Sequence, residues 1–213
     1  MSVSAAVLDD LVARVHDGAA RLGQGRPAGP GVPRGGACRL VVVDGPAGSG
    51  KTTLAAQLGV ALPAQVIHMD DLYEGWTGMT AGAGRLVEQV LDPLAAGRPG
   101  RYQRYDWTLE DFAEWHDVPL APFLVVEGCG AGARRIAEMT TLLVWVEADD
   151  ELRLARGLAR DGQEARVHWL EWMASERAVY ATEGTAERAD VVLDGFGEPV
   201  TARPRAHERA GEA

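Results

Sequence analysis

The fold is decided by residues 39–53, which read RLVVVDGPAGSGKTT. The run from Arg39 to Asp44 is centred on three valines, which is typical of a strand buried on both faces in a parallel sheet. A glycine-rich loop and then a stretch of helix-forming residues follow directly. The eight residues from Gly45 to Thr52 match the pattern GxxxxGK[ST] at the junction of strand and helix, where this pattern binds phosphate. The sequence therefore predicts a strand, a phosphate loop and a helix in this order.

The chemistry of this phosphate loop suits a nucleoside triphosphate. Glycines allow successive backbone N–H groups to surround a phosphate, and the dipole of the following helix adds to the attraction. Lys51, the only lysine of the chain, supplies a charge for the β- and γ-phosphates, and the Thr52 hydroxyl can coordinate Mg²⁺. We therefore predict ATP and Mg²⁺ as cofactors, with the preference for ATP over GTP left open. The predicted nucleotide-binding residues here are Gly45, Pro46, Ala47, Gly48, Ser49, Gly50, Lys51, Thr52 and Thr53. Thr53 can equally pack or cap.

Strand-like and helix-like patterns alternate along the rest of the chain. Strand-like runs occur at 65–69, 123–127, 142–147 and 190–194, and helical periodicity at about 82–96, 150–161 and 164–181. Strands that alternate with helices form right-handed βαβ units, which give a parallel sheet covered on both faces. The sequence predicts an α/β fold, the three-layer P-loop NTPase fold, with a mainly parallel five-stranded sheet and a helical lid.

Composition predicts one folded domain with flanking segments. Residues 1–22 show helix-like spacing of apolar residues and predict an N-terminal helix, whereas residues 23–37 are rich in glycine and proline and predict a linker. Residues 38–195 contain every predicted strand and form the P-loop domain. Residues 196–213 are polar, and we expect most of this tail to be disordered.

Charge and hydrophobicity exclude some classes of partner. The net charge of −10 argues against a broad nucleic-acid interface, which needs a basic surface. No apolar run reaches the roughly 18 residues of a membrane span, and no export signal begins the sequence. Cys38 and Cys129 lie at strand-like runs, where reduced, partly buried thiols are favoured over a disulfide. We expect a cytoplasmic protein that binds small molecules, and the oligomeric state, including a homo-oligomer, stays open.

Acidic residues follow two of the predicted strands. Asp70 and Asp71 come after the strand at 65–69, and Glu127 ends the strand at 123–127. Ligands of open α/β sheets bind beyond the carboxyl ends of the strands, so both positions lie on the side of the phosphate loop. We predict that Asp70 accepts or orients the proton of an acceptor hydroxyl and that Glu127 holds Mg²⁺ directly or through water. Alternatively, the two aspartates are solvated loop acids and Glu127 caps the next helix.

Arginines at helical spacing predict the lid. Arg153, Arg156 and Arg160 repeat on one helix, and Arg166 follows after a short break. The last three could close over the triphosphate and stabilise charge in the transition state. The alternative is a solvated helix face that pairs with the acidic residues at 149–151.

The connection between the second and third predicted core strands contains the residues GRYQRYDW at 100–107. Stacking rings, together with a carboxylate that accepts hydrogen bonds from ribose hydroxyls, would suit a nucleoside. A packed insertion would have the same composition. Trp169 and Trp172 are three residues apart on a predicted helix, which favours a place in the core.

With these motifs in view, the chain resembles the uridine kinase and phosphoribulokinase group of P-loop kinases. Four landmarks stand in the family order, namely GPAGSGKTT at 45–53, MDDLY at 69–73, RYDW at 104–107 and VVEG at 125–128. The stretch VEADDELRLARGLARD at 146–161 is similar to the lid region of the family. The resemblance covers about residues 38–194, and the phosphate loop is its most specific motif.

The resemblance implies a small-molecule kinase in which Asp70 is the catalytic base and Glu127 serves the metal. It also implies an acceptor pocket lined by Tyr73, Tyr105 and Asp106, and Arg104 of the same stretch completes our substrate-binding set. The predicted catalytic residues are Asp70, Lys51, Arg156 and Arg160, and the predicted ATP-binding residues outside the loop are Arg156, Arg160 and Arg166.

Three functions are compatible with these residues. The leading one is ATP-dependent transfer of a phosphoryl group to a uridine- or cytidine-like nucleoside or a similar small hydroxyl-bearing metabolite. A nucleoside-monophosphate kinase is the first alternative, with Arg101 and Arg104 available for the acceptor phosphate. The second alternative is a nucleotide-binding regulatory ATPase without an acceptor.

Overall fold

The computed structural model describes residues 2–23 and 37–200. All but the two end residues of the predicted linker, and residues 201–213 of the predicted tail, lie outside this description. None of the helices in the described ranges is long and apolar enough to cross a membrane.

Five parallel strands form the central sheet, in the order β2-β5-β1-β6-β7. The strands are β1 (Arg39–Asp44), β2 (Gln65–His68), β3 (Gly100–Asp106), β4 (Asp111–Val118), β5 (Phe123–Glu127), β6 (Thr140–Val146) and β7 (Val191–Leu193). The predicted α/β fold with a mainly parallel five-stranded sheet is confirmed. Because β1 lies at the centre and pairs with both β5 and β6, the phosphate loop leaves the sheet at its middle.

Helices cover both faces of this sheet. They are α1 (Ala5–Asp17), α2 (Lys51–Ala61), α3 (Met79–Leu86), α4 (Asp92–Ala95), α5 (Asp150–Asp161), α6 (Arg166–Glu183) and α7 (Thr185–Arg188). Shorter 3₁₀ turns occupy Met69–Asp71, Gly75–Thr77, Arg134–Met139 and Gln163–Ala165. The pattern at 82–96, predicted as one helix, is divided by a π-helical segment, Val87–Leu91. Pro93, in the first turn of α4, has no N–H for the regular helical ladder, which accounts for the irregular turn before it.

Alternate residues of β1 enter two separate cores. Leu40 and Val42 are fully buried in the core that contains α3, α4 and Trp172, whereas Val41 and Val43 are fully buried in the core beneath α1 and α2. A strand buried on both faces explains the continuous apolar run that predicted it. The sheet between two helical layers gives the three-layer architecture.

A two-stranded antiparallel sheet, β3 with β4, replaces the predicted connection at 100–107. The sequence analysis missed both strands, because polar residues interrupt the alternation and the pairing register shifts between Gln103 and Tyr105. Tyr102 and Tyr105 are buried with 3% and 6% exposure. The hairpin is therefore packed against the domain, as the packed-insertion alternative has it, and its turn still reaches the cleft described below.

The first residues of the predicted tail fold back on the sheet. The N–H of Val200 donates to the carbonyl of Val192 at 2.9 Å, and Leu193 and Pro199 form an antiparallel bridge. An edge strand such as β7 leaves backbone groups available for pairing. Residues 196–200 therefore pack along the sheet edge, and the prediction that most of the tail is disordered concerns residues 201–213, which lie outside the described residues.

Candidate active site

The phosphate loop joins β1 to α2 and keeps the N-terminal end of α2 open. Gly48 has φ +78°, and a Cβ there would lie 2.7 Å from the carbonyl oxygen of Arg153, so this position needs glycine. Gly50 is the N-cap of α2 with φ 110° and provides no side-chain cap. Three residues of this segment line a cleft of about 830 Å³, namely Gly50, Lys51 and Thr52. Uncapped helix amides beside a lysine fit a phosphate group.

Lys51 is 6% exposed and points into the loop. Its ammonium donates to the carbonyl oxygen of Pro46 at 2.9 Å and lies 3.6 Å from the Sγ of Cys129. Burial alone would lower the pKa of Lys51, but Cys129, Glu127 and Asp44 outweigh burial and raise the pKa. The charge needed for phosphate binding is thus present before any ligand arrives.

Asp44, the last residue of β1, forms a buried hydrogen-bond network beside the phosphate loop. Its buried carboxylate accepts from the N–H of Gly130 at 2.9 Å, from the N–H of Gly132 at 2.7 Å and from the Tyr180 hydroxyl at 2.8 Å. Burial raises the pKa of Asp44, and these hydrogen bonds oppose the rise. The Tyr180 hydroxyl also lies 2.7 Å from the carbonyl oxygen of Gly45, so α6 contacts the start of the loop.

A buried ion pair between α5 and α6 holds the middle of the loop. Arg153 Nη1 donates to Glu176 Oε1 at 2.6 Å and to the carbonyl of Ala47 at 2.9 Å. Glu176 Oε2 accepts from the N–H of Ala47 at 2.8 Å. The two side chains are 4% and 2% exposed. The spacing of the arginines predicts Arg153 only as one member of a row. No local pattern links α6 to the phosphate loop, so the sequence does not predict the role of Glu176.

Thr52 and Glu127 meet at the carboxyl end of β5. The Thr52 hydroxyl donates to Glu127 Oε1 at 3.0 Å, and His68 Nδ1 lies 2.7 Å from the same oxygen. The hydrogen bond to Glu127 raises the pKa of His68. The next helical turn begins at Arg134 with Ala133 as its N-cap, so Glu127 does not cap it. Hydroxyl and carboxylate oxygens are ligands that suit Mg²⁺. Within residues 2–23 and 37–200, no group of three or more His, Cys, Asp and Glu side chains could hold a metal ion.

Asp70 and Asp71 follow β2 in the turn Met69–Asp71, and both line the cleft. The indole N–H of Trp107 donates to the main-chain carbonyl of Asp70 at 3.0 Å, and the Tyr102 hydroxyl donates to Asp71 Oδ2 at 3.2 Å. Burial, followed by the charge of Glu127, raises the pKa of Asp70. The Asp70 residue is exposed and lines the cleft. The Asp71 carboxylate is held by Tyr102, so Asp71 is not a freely solvated loop acid.

Two of the predicted lid arginines reach the cleft in different ways. Arg156 donates to the carbonyls of Gly48 at 3.1 Å and Gly195 at 3.0 Å, so it is already attached to the phosphate loop. Arg160 is 66% exposed and pairs with Asp161 at 2.7 Å. The alternative of an arginine face that pairs with local acids therefore describes Arg160 in part, and not Arg156.

Some predicted binding residues lie away from the cleft surface. The predicted residues that do not line it are Gly45, Pro46, Ser49, Thr53, Asp106 and Arg166. Arg166 is exposed at the start of α6. Asp106 accepts from Arg104 at 2.9 Å and from the N–H groups of Thr108 at 2.9 Å and Leu109 at 3.1 Å, and Arg104 lowers its pKa. The prediction that Asp106 binds substrate is therefore not supported, because its carboxylate holds the hairpin turn.

The cleft has a volume of about 830 Å³, and several aromatic side chains line it. Tyr73 is 1% exposed and donates its hydroxyl to the Cys129 carbonyl at 2.6 Å, so it serves as wall. Trp169 and Trp172 are 2% and 5% exposed, as the core alternative predicts, yet both also line the cleft. Trp76 also lines the cleft, and the sequence does not predict this, because Trp76 lies in a turn without regular periodicity.

Comparison with known proteins agrees with this architecture. A structure described as a possible uridine kinase from Bacillus stearothermophilus is 21% identical, with a TM-score of 0.59 over 89% of this chain and 98% of that one. The structure of the YGR205w protein is 15% identical, with a TM-score of 0.53 over 93% and 98% of the two chains. At these identities the likeness shows the fold. A comparison with curated protein sequences gave no match.

A family model described as Phosphoribulokinase / Uridine kinase family matches residues 77–174. This range begins after the phosphate loop and contains the motifs RYDW and VVEG, so it adds to the evidence from the loop. The resemblance that the motifs predicted is thereby confirmed, and the chain, with the fold of P-loop kinases, is similar over residues 77–174 to the phosphoribulokinase and uridine kinase family.

Proposed function

We propose that this protein is an ATP-dependent phosphotransferase that acts on a hydroxyl of a small acceptor, such as a uridine- or cytidine-like nucleoside or a similar metabolite. One observation carries the proposal. A single cleft is lined by residues of the phosphate loop, by Asp70 and by several aromatic side chains, in a chain whose family match supports a P-loop kinase. The name of the Bacillus stearothermophilus neighbour favours a nucleoside among the acceptors.

The phosphate loop would bind the triphosphate. Lys51 and the open amides of α2 supply positive charge at one end of the cleft, where they bind and orient the β- and γ-phosphates. Thr52 and Glu127 would hold Mg²⁺, which supplies charge neutralisation on these phosphates when it is bound. A cation that shares the oxygens of Thr52 and Glu127 would replace the hydrogen bond that now joins them.

Asp70 would orient the acceptor hydroxyl and receive its proton. Its carboxylate lies in the cleft next to the charge of Glu127, and both burial and that charge raise its pKa. A raised pKa makes a carboxylate a better proton acceptor. Arg160, with its guanidinium in the same cleft, would stabilise the charge that develops on the transferred group. Arg156 would serve the same charge from the loop side.

A screen of ADP release tests the proposal. Purified protein with Mg-ATP is mixed with nucleosides, nucleoside monophosphates, sugars and vitamin precursors, and release is compared with that of an acceptor-free control. Release that depends on a neutral hydroxyl-bearing acceptor is expected. Preference for monophosphates would indicate the monophosphate-kinase alternative, and ATP binding without acceptor-dependent release would indicate the regulatory alternative.

The two thiols are free, and a cytoplasmic location remains our prediction.

A further inference from the structure

One cluster of aromatic side chains that line the cleft is built around Trp76. The ring of Trp76 stacks on His168 at a centroid distance of 5.4 Å and meets Trp107 edge-on at 5.5 Å and Trp172 at 6.0 Å. We call these four residues the aromatic wall. They come from the turn at Gly75–Thr77, from the hairpin and from α6, so tertiary packing assembles the wall.

Much of the aromatic wall is open to the cleft. Trp107 remains 39% exposed, and His168 is exposed as well, although all four rings line the same cavity. A cluster of large rings that leaves faces exposed in a cleft is suited to stack on a planar ligand. Because the indole N–H of Trp107 donates to the main-chain carbonyl of Asp70, the wall adjoins the residue proposed to orient the acceptor hydroxyl, and such a ligand would be the acceptor.

The charges beside the aromatic wall are acidic. Asp70, Asp71 and Glu164 contribute carboxylates to the cleft lining. Arg104 is the cation that the hairpin contributes, and it is paired with Glu114 at 2.6 Å and with Asp106 at 2.9 Å. One guanidinium that faces two carboxylates carries no surplus positive charge for a ligand.

The other lysine and arginine side chains that line the cleft lie at the phosphate loop or on α5. Lys51 and Arg156 bind carbonyls of the phosphate loop, and Arg160 is paired with Asp161. Beside the aromatic wall, a phosphate or carboxylate on the acceptor would therefore face carboxylates and an arginine that is already paired, and burial of a poorly compensated anion is costly.

We infer that the acceptor presents a planar ring to Trp76 and Trp107 and bears no phosphate or carboxylate group. This inference rests on the proposed function, since it identifies the acceptor class of the same site. It also disfavours a monophosphate acceptor, for which Arg101 and Arg104 were the available cations. Arg101 does not line the cleft and lies over the ring of Trp115, 4.5 Å from its centroid.

Binding measured without turnover tests the inference separately from the proposed function. The protein is saturated with Mg²⁺ and a non-hydrolysable ATP analogue, and tryptophan fluorescence is followed while uridine, cytidine, UMP or CMP is added. Each nucleoside is expected to bind at least about 10-fold more tightly than its monophosphate. Equal or tighter binding of the monophosphates, or no response to either nucleoside, would overturn the inference. If a nucleoside binds but never elicits ADP release from Mg-ATP, the proposed function fails and the inference stands.

Variants of the aromatic wall localise the ring. Trp76→Ala is expected to weaken nucleoside binding about 10-fold or more, because stacking on one aromatic side chain is worth that much, with the affinity for the ATP analogue within about twofold. Trp107→Ala, in the exposed turn of the hairpin, gives the same test if Trp76→Ala folds poorly by circular dichroism. The matched control is Trp115→Ala, which is 47% exposed on β4 and outside the cleft, and it should bind like the parent. Unchanged nucleoside binding in both wall variants would overturn the inference.

A charge variant tests the exclusion of anions. Glu114→Gln removes one of the two carboxylates that neutralise Arg104. The ratio of UMP affinity to uridine affinity is expected to rise several-fold, since Arg104 then has positive charge to share. An unchanged ratio would show that the pairing of Arg104 does not set the charge preference, and this part of the inference would be withdrawn.

Discussion

At the scale of single residues, Lys51 shows how the loop is prepared for its ligand. The ammonium binds the Pro46 carbonyl at 2.9 Å and is surrounded by groups that favour its charged form. A phosphate oxygen can replace the carbonyl as acceptor without a change of protonation. The surroundings of Lys51 are therefore those expected of a lysine that binds phosphate.

Lys51→Ala is expected to lower kcat/KM for Mg-ATP by roughly 10² to 10³-fold, since it removes a preorganised charge from the transferred phosphates. The far-ultraviolet circular dichroism spectrum should match that of the parent. Nucleotide binding by calorimetry and steady-state turnover provide the check, with Lys51→Arg as a variant that keeps the charge. Parental Mg-ATP affinity and turnover in Lys51→Ala would refute the assignment of the phosphate loop.

Asp70→Asn is expected to reduce acceptor-dependent ADP release by roughly 10² to 10⁴-fold, because it removes the proton acceptor and leaves ATP binding intact. Asp71→Asn is the matched control and should have a much smaller effect. Since the pKa of Asp70 is raised, activity should fall with decreasing pH while ordinary aspartates are still ionised, as Asp70 becomes protonated. The two variants must be compared at saturating Mg-ATP with a confirmed acceptor. If Asp71→Asn is inactive and Asp70→Asn active, the assignment is wrong by one residue.

The buried ion pair of Arg153 and Glu176 affects both the free energy of unfolding and the position of the phosphate loop, because both side chains bind Ala47. Glu176→Gln leaves Arg153 paired with Asp150 alone, whose side chain is 57% exposed, so we expect a loss of about 2 kcal/mol in unfolding free energy and a higher KM for Mg-ATP. The double variant Arg153→Met, Glu176→Met should recover much of the stability, because apolar replacement of a buried pair is often neutral. Its KM for Mg-ATP should stay high, since Ala47 has lost both contacts.

Urea denaturation and steady-state kinetics separate these two effects. A KM that returns to the parental value together with stability in the double variant would show that the pair is purely structural.

At the scale of elements, local signals explain what the sequence could predict. The strand, loop and helix from β1 to α2 were predictable because buried valines, glycines and helix formers lie next to one another in the chain. The hairpin of β3 and β4 was not, because each strand buries only some of its side chains and β3 carries Arg104 where alternation would place a buried side chain. The contact between Ala47 and Glu176 spans 129 residues, and no local pattern encodes it. Trp107 and Trp172 were named from the sequence, but their assembly with Trp76 and His168 into one wall was not predictable for the same reason.

The arginines of α5 allow the lid to be tested at this scale. Arg160→Ala is expected to lower kcat by about 10²-fold with little change in ATP affinity, since the exposed guanidinium would act on transition-state charge. Arg156→Ala should lower ATP affinity as well, because this side chain already binds the carbonyl of Gly48. Arg166→Ala, exposed and outside the cleft, serves as the control. Pre-steady-state kinetics measures the effect on turnover, and nucleotide titration measures the effect on ATP affinity. Parental turnover in both variants would mean that the arginines form a solvated helix face.

At the scale of the whole molecule, α1 belongs to the core of the P-loop domain although it precedes the predicted linker. Leu11 and Val15 are completely buried in the same core as Leu54 and Leu58 of α2. The N–H of Val3 donates to Gln57 Oε1 at 3.1 Å, which ties the start of the chain to α2. The second face of the sheet is thus closed by the first residues of the protein.

Leu11→Ala is expected to lower the free energy of unfolding by about 2–5 kcal/mol, as for other large-to-small changes in a core. Val60→Ala, at an α2 position with 83% exposure, should change it by about 0.5 kcal/mol or less. Urea denaturation followed by tryptophan fluorescence measures both, and kcat of the folded Leu11→Ala protein should equal that of the parent. A loss no greater than that of Val60→Ala would show that α1 unfolds separately from the domain.

The single lysine of the chain also makes the phosphate loop its only cleavage site for a lysine-specific protease. Lys51 is the first residue of α2 and is 6% exposed, so the scissile bond is accessible only after the loop and helix open. The rate at which the intact chain is cut into two fragments would therefore report opening at this one place. A nucleotide that occupies the loop should slow the cut, and the same digestion would then measure occupancy without any acceptor being known.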